Sequence, residues 1–141
     1  MKTIQTSAYL FLIALTFVLT SCGKKTEDVV NPDAGAQVAG SYSADRIRTP
    51  TGQIGAITGA KLTILVTRLN ETQVTLALRS VPTGKAAQTI EFPGSVDLKR
   101  SGKVIDFILS DGSKVGNYND GTLELEYEDP TLAGTLIGKK Q

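Results

Sequence analysis

A chain of 141 residues with 15 basic and 14 acidic side chains, one cysteine and no histidine leaves few kinds of chemistry open. The missing histidine excludes Ser-His-Asp and Cys-His nucleophile systems and histidine-zinc sites. A charge balance near zero offers no basic field to gather nucleic acid. General acid–base work is left to carboxylate, lysine or tyrosine, and no enzyme is expected.

The N-terminal residues have the three zones of an export signal. Lys2 is the only charge ahead of Tyr9 to Leu19 (YLFLIALTFVL), an apolar run about half the roughly 20 residues a membrane-spanning helix requires. Leu19-Thr20-Ser21-Cys22 follows, with an aliphatic residue at −3, small residues at −2 and −1 and cysteine at +1. This resembles the bacterial lipobox. The resemblance implies cleavage between Ser21 and Cys22, diacylglycerol on the Cys22 sulfur and acylation of the new amino terminus. A lone cysteine cannot form an intramolecular disulfide. Two or three acyl chains, at roughly 0.8 kcal/mol per buried methylene, make an essentially permanent anchor, so the membrane is the first expected partner.

Three segments are expected: residues 1–21 as signal peptide, 22–39 as lipidated cysteine and flexible tether, and 40–141 as one β domain. Removing residues 1–21 takes away Lys2 alone, leaving basic and acidic side chains in balance. About 100 residues suffice for one modest core. Gly23 to Gly40 (GKKTEDVVNPDAGAQVAG) mixes charge, Gly, Ala and Pro without apolar period, as a tether does. Lys24 to Asp28 is similar to the export signals of surface lipoproteins in Bacteroidota, although a solvated charge run explains it equally well. Gly23 means that the aspartate retaining some lipoproteins on the inner membrane is absent. The expected location is the cell envelope, lipid-anchored at the outer membrane, with the periplasmic or surface face undecided.

From Gly40 onward apolar residues recur at a period of two, and no stretch keeps helical spacing. Leu62, Ile64 and Val66 alternate with Lys61, Thr63 and Thr67, and Val74, Leu76 and Leu78 alternate with Gln73, Thr75 and Arg79. Asn70-Glu71-Thr72 connects those two runs as a short hairpin. The pattern continues through 87–92, 96–99, 104–109, 115–118, 123–127 and 132–137. Ser101-Gly102, Asp111-Gly112 and Asp120-Gly121 supply positive φ, while Pro82-Thr83-Gly84, Pro93-Gly94 and Asp129-Pro130 break ladders. The short links predict that neighbours in sequence pair antiparallel. The expected fold is all-β, an up-and-down meander of about eight or nine strands closing into a small barrel, with a two-layer β-sandwich as the alternative. The expected core runs from Leu62, Ile64 and Val66 through Ile90 and Phe92 to Leu125, Tyr127, Leu132 and Leu136.

Val38-Ala39-Gly40-Ser41-Tyr42 opens the first strand much as the G-x-W motif opens lipocalins, with Tyr42 in place of Trp. Lipobox, tether, meander and the closing Leu136-Ile137-Gly138-Lys139-Lys140 together resemble the small lipocalin-like lipoproteins common in Bacteroidota. What this implies is a lipocalin-like barrel, and no cofactor is expected. The long first loop, 49–60 (TPTGQIGAITGA), is where a ligand lid would sit, with Ile54 and Ile57 able to cover the barrel mouth.

Other constellations point to structure rather than chemistry. Glu124, Glu126 and Glu128 share one strand face, roughly 7 Å between neighbours, and project in parallel instead of flanking a bond as glycosidase carboxylates do. Asn117 to Gly121 lacks carboxylates at three ligand positions of a calcium loop and reads as a tight turn, so no metal is expected. Gly52, Gly55, Gly59 and Lys61 miss the phosphate-loop spacing, so no nucleotide is expected. Arg46, Arg48, Arg68 and Arg79 lie on polar strand faces where an anionic glycan would find them. Two functions remain: a non-enzymatic binding module for a small apolar or amphipathic ligand, or a structural protein whose filled barrel meets an envelope protein or glycan partner.

Overall fold

The computed structural model describes residues 33–129 and 132–141. It contains a short helix, α1 (Ala34–Val38), and ten strands: β1 (Gly40–Arg48), β2 (Ile54–Ala56), β3 (Ala60–Arg68), β4 (Gln73–Pro82), β5 (Gln88–Glu91), β6 (Val96–Ser101), β7 (Val104–Ile108), β8 (Lys114–Asn119), β9 (Thr122–Asp129) and β10 (Leu132–Lys140). All pairings are antiparallel. The last strand returns to the first, with Tyr42 opposite Lys140 and Arg48 opposite Thr135. The ring β1-β3-β4-β6-β7-β8-β9-β10 therefore closes as an eight-stranded, lipocalin-like barrel rather than a sandwich. Closure pairs the edges that an open meander would leave bare.

Strands β2 and β5 continue barrel positions instead of adding new ones. β1 pairs with β3 from Gly40 to Ala44 and with β2 from Arg46 to Arg48, so β2 and β3 share one position, interrupted at residues 57–59. The break sits across from a bulge at Asp45, whose carbonyl accepts from the Ile57 amide at 2.9 Å. β4 likewise faces β6 at Gln73 and Val74 and β5 from Ala77 to Ser80. Pro93-Gly94 does not turn the chain back: residues 92–95 bulge between β5 and β6, which lie along the same edge of β4 without pairing to each other. Proline has no amide to donate, so a bulge rather than a ladder position is where it fits. Asp120-Gly121 does form a two-residue hairpin turn, with φ of +46° and +78°. Positive φ at both central residues matches the right-handed twist of the strands it joins.

Inside the barrel, apolar side chains fill the lower part. Tyr42, Ile64, Val74, Leu76, Val96, Ile105, Phe107, Leu123, Leu125 and Leu136 are all buried, and among the described residues no polar or charged side chain is fully buried. Cross-strand register builds the layers: Leu125, Leu136 and Ile47 stand side by side on β9, β10 and β1. Phe107 stands opposite Gly116, so a large ring meets a position without side chain.

The lower end is closed by α1, which corrects the expected tether. Residues 34–38 form a helix packed on the barrel instead of a flexible link, while 22–32 lie outside the described residues. Asp33 caps it, accepting from the Ala36 amide at 2.9 Å, and its other carboxyl oxygen binds Arg68. These partners, Arg68 foremost, hold the Asp33 carboxyl below the usual carboxylate range. Val38 is fully buried, and its carbonyl accepts from the Tyr42 hydroxyl at 2.5 Å. Burial pushes the Tyr42 phenol far up, with Tyr118 adding to the effect, so it remains a donor. The Tyr118 ring lies edge-on at 6.2 Å and the Lys140 ammonium sits 6.0 Å from the Tyr42 centroid. Lys140 also donates to the Gln37 carbonyl and Arg100 to the Gln37 side chain, fastening helix to barrel.

Candidate functional site at the barrel mouth

Above the filled layers the inward positions change character. Cross-strand partners point to the same side of a sheet. Since Leu78 faces inward, so do its partner Ile90 and, two residues on, the pair Ser80 and Gln88. Gly55 is the inward residue of β2, being opposite Ile47. On β10, Gly134 stands opposite inward-facing Tyr127. Glycine, serine and alanine at this level cannot fill the lumen that leucines fill below. The result is a hollow of about 440 Å³, lined by Ile47, Ile57, Leu62, Leu78 and Ile90 among apolar residues and by Thr58, Ser80, Gln88 and Tyr127 among polar ones.

Ile90 reports the opening most directly. It was expected in the core, and its register does place it inward, yet it is 47% exposed. An inward isoleucine exposed to this degree means that the space in front of it is unfilled. Ile47, Leu62 and Leu78 beneath are buried and form an apolar floor. Hollows of about 340 to 530 Å³ also lie on the outer wall and among the lower loops. Volume therefore does not single out the mouth. Its floor does, because three buried core side chains, Ile47, Leu62 and Leu78, line it, whereas the other hollows described are lined by at most one, Leu76.

The two residues proposed as a lid separate. Ile57 lines the hollow and packs against the core. Ile54 is 53% exposed and pairs with outward-facing Arg48, so it stands on the outer wall and cannot cover the mouth. The lipobox residues Leu19, Thr20, Ser21 and Cys22 lie outside the described residues.

The charged residues singled out in the sequence are dispersed. Arg48 makes a two-point contact to Glu124 at 2.8 and 3.2 Å, reaching across β10 on the outer wall. Arg46 is 3.8 Å from Asp45 and Arg68 binds Asp33 at the lower end, so the four arginines form no common anion site. Glu124 is part-buried, whereas Glu126 and Glu128 are exposed. Arg48 foremost, with Asn117 and Lys114, holds the Glu124 carboxyl below its ordinary value. A carboxyl with a depressed folded value contributes stability that is present above its unfolded value and lost as pH falls through the folded one. Glu124→Gln is therefore expected to lower stability by about 0.5–1 kcal/mol at neutral pH, the scale of a partly exposed pair. The difference from wild type should shrink from roughly pH 5 downward, which urea titrations at pH 7 and pH 3 would check.

Sequence reasoning placed Leu62, Leu78, Ile90 and Tyr127 in the core and did not see that they surround a space. The signal was present on β4 and β5, where the inward series Val74, Leu76, Leu78 ends in Ser80 and is matched by Gln88. Among the described residues no group of three or more metal-ligating side chains converges and no helix is long and apolar enough to cross a membrane.

Fold and mouth together define a small closed β-barrel, plugged at one end and open over an apolar floor at the other. No family model, no curated protein and no solved structure matches the chain.

Proposed function

We propose that the protein is a membrane-anchored lipoprotein of the cell envelope whose barrel mouth receives a small apolar or amphipathic molecule without transforming it. The observation that carries this reading is the inward, half-exposed Ile90 above a floor of Ile47, Leu62 and Leu78. A hollow of about 440 Å³ falls inside the roughly 300–1,000 Å³ range of small-molecule sites. The anchor rests on Leu19-Thr20-Ser21-Cys22, and the outer membrane as its location rests on Gly23.

Purification from cells without denaturation, followed by mass spectrometry, tests the binding role: a stoichiometric small amphipath is expected. A consistent protein or glycan companion and no small molecule would favour the second reading, an envelope interaction protein, which the filled lower barrel supports. Cys22→Ala is expected to abolish incorporation of labelled fatty acid and to leave the precursor uncleaved. Normal labelling would overturn the anchor.

A further inference from the structure

Charge in the mouth is distributed in a way that restricts what can enter. Among the described lining residues none carries a charge: the polar ones are Thr58, Ser80, Gln88 and Tyr127, all neutral hydrogen-bonding groups. The basic residues next in the chain to inward Ile47, Leu62 and Leu78 face elsewhere. Arg79 and Lys61 alternate with inward Leu78 and Leu62 and so lie on the outer wall, and Arg48 is engaged with Glu124 there. A carboxylate or phosphate lowered onto this floor would leave water without gaining a cation, and a partly desolvated ion without a partner is strongly disfavoured. An ammonium would meet no carboxylate in the lining either. A hydroxyl or amide, in contrast, would find a hydroxyl at Ser80 and an amide at Gln88 that both donate and accept. These two stand side by side across β4 and β5, directly above the apolar pair Leu78 and Ile90.

From this juxtaposition we infer that the mouth selects an uncharged amphipath, with its apolar part on Ile47, Leu62, Leu78 and Ile90 and a neutral hydroxyl or amide group between Ser80 and Gln88. The inference rests on the reading of the mouth as a binding site and adds the chemical class of the occupant. Free fatty acids and phospholipid headgroups are excluded by it, whereas fatty alcohols, acylglycerols and fatty amides fit.

The test compares 1-decanol, decanoate and decylamine at pH 7.4 by titration calorimetry on the protein purified from cells, with Ile90→Trp as a control. Ile90 is inward and half-exposed, so a larger ring there occupies the hollow without displacing buried side chains. Decanol is expected to bind about tenfold or more tightly than either ion, reflecting the penalty of burying an unpaired charge, and Ile90→Trp to abolish that binding. Gln88→Lys supplies the missing cation at an exposed position and is expected to reverse the preference toward decanoate. If no probe binds, or binding persists unchanged in Ile90→Trp, the binding site itself is overturned. If decanoate or decylamine binds the wild type as tightly as decanol and Ile90→Trp abolishes both, the site stands and the neutral-ligand inference falls. Unchanged preference in Gln88→Lys also overturns the inference, because the headgroup then lies away from Gln88.

Discussion

Tyr42→Ala is expected to destabilise the barrel by about 3–5 kcal/mol, the range for removing a large buried aromatic ring. Tyr42 is fully buried at the lower end and lies edge-on to Tyr118. Its hydroxyl also ties β1 to the helix through the Val38 carbonyl. Tyr42→Phe isolates that link. It keeps the ring and leaves a buried carbonyl without its donor, which costs about 1–3 kcal/mol. The chain contains no Trp, so urea unfolding followed by tyrosine fluorescence and far-ultraviolet circular dichroism would measure both variants. A loss below about 0.5 kcal/mol for Tyr42→Phe would mean that water reaches the Val38 carbonyl and that the helix is not sealed.

Gly35→Val should unseat the helix. A Cβ at Gly35 would lie 2.1 Å from the Asn70 carbonyl oxygen, a backbone atom held in the β3–β4 hairpin. Neither side can yield by a side-chain rotation. Lifting the helix gives up the Gly35 amide bond to the Glu71 carbonyl, the burial of Val38 and its contact with Tyr42. The summed loss is about 3 kcal/mol, from one buried aliphatic side chain and one or two hydrogen bonds. Hydrogen exchange gives the sharper reading. The Gln37 and Ala39 amides, bonded to the Asp33 and Gly35 carbonyls, should lose protection while the Leu123 to Leu125 region keeps it. Retained protection at Ala39 would show that the hairpin moves instead of the helix.

Gly35→Val lies at a place where reading along the chain was least informative. Residues 34–38 (AGAQV) are too few for an apolar period, and Gly35 in a run of small residues resembles a linker. What makes them a helix is contact with distant groups: Arg68 on Asp33, Arg100 and Lys140 on Gln37, and the closed space above Val38. The same applies to Ile54 and Ile57. An apolar residue in a glycine-rich loop gives no sign of which side it will take, and only the register with β1 turned Ile54 outward.

Alternation, by contrast, carried a long way. From β3 through β10 the period of two named the inward side of nearly every strand, because a pleated backbone sends successive side chains to opposite faces whatever its neighbours are. Its failure has a local cause. At the bulge beside Asp45 the parity resets, from inward Tyr42 and Ala44 to inward Ile47, whereas across 92–95 it holds, with Ile90 and Val96 both inward, and only the place along β4 changes.

The amino-acid sequence by itself determined the all-β class, the absence of histidine chemistry and the residues available to a core, since these depend on composition and local geometry alone. Tertiary structure decided what those residues enclose. Closure of β10 onto β1 turned a meander into a lumen, the helix sealed its lower end, and the register of Leu78 with Ile90 and of Ser80 with Gln88 left the upper end open. A cavity is the space between side chains brought together from distant strands, and no local pattern in a chain specifies where that space remains unfilled.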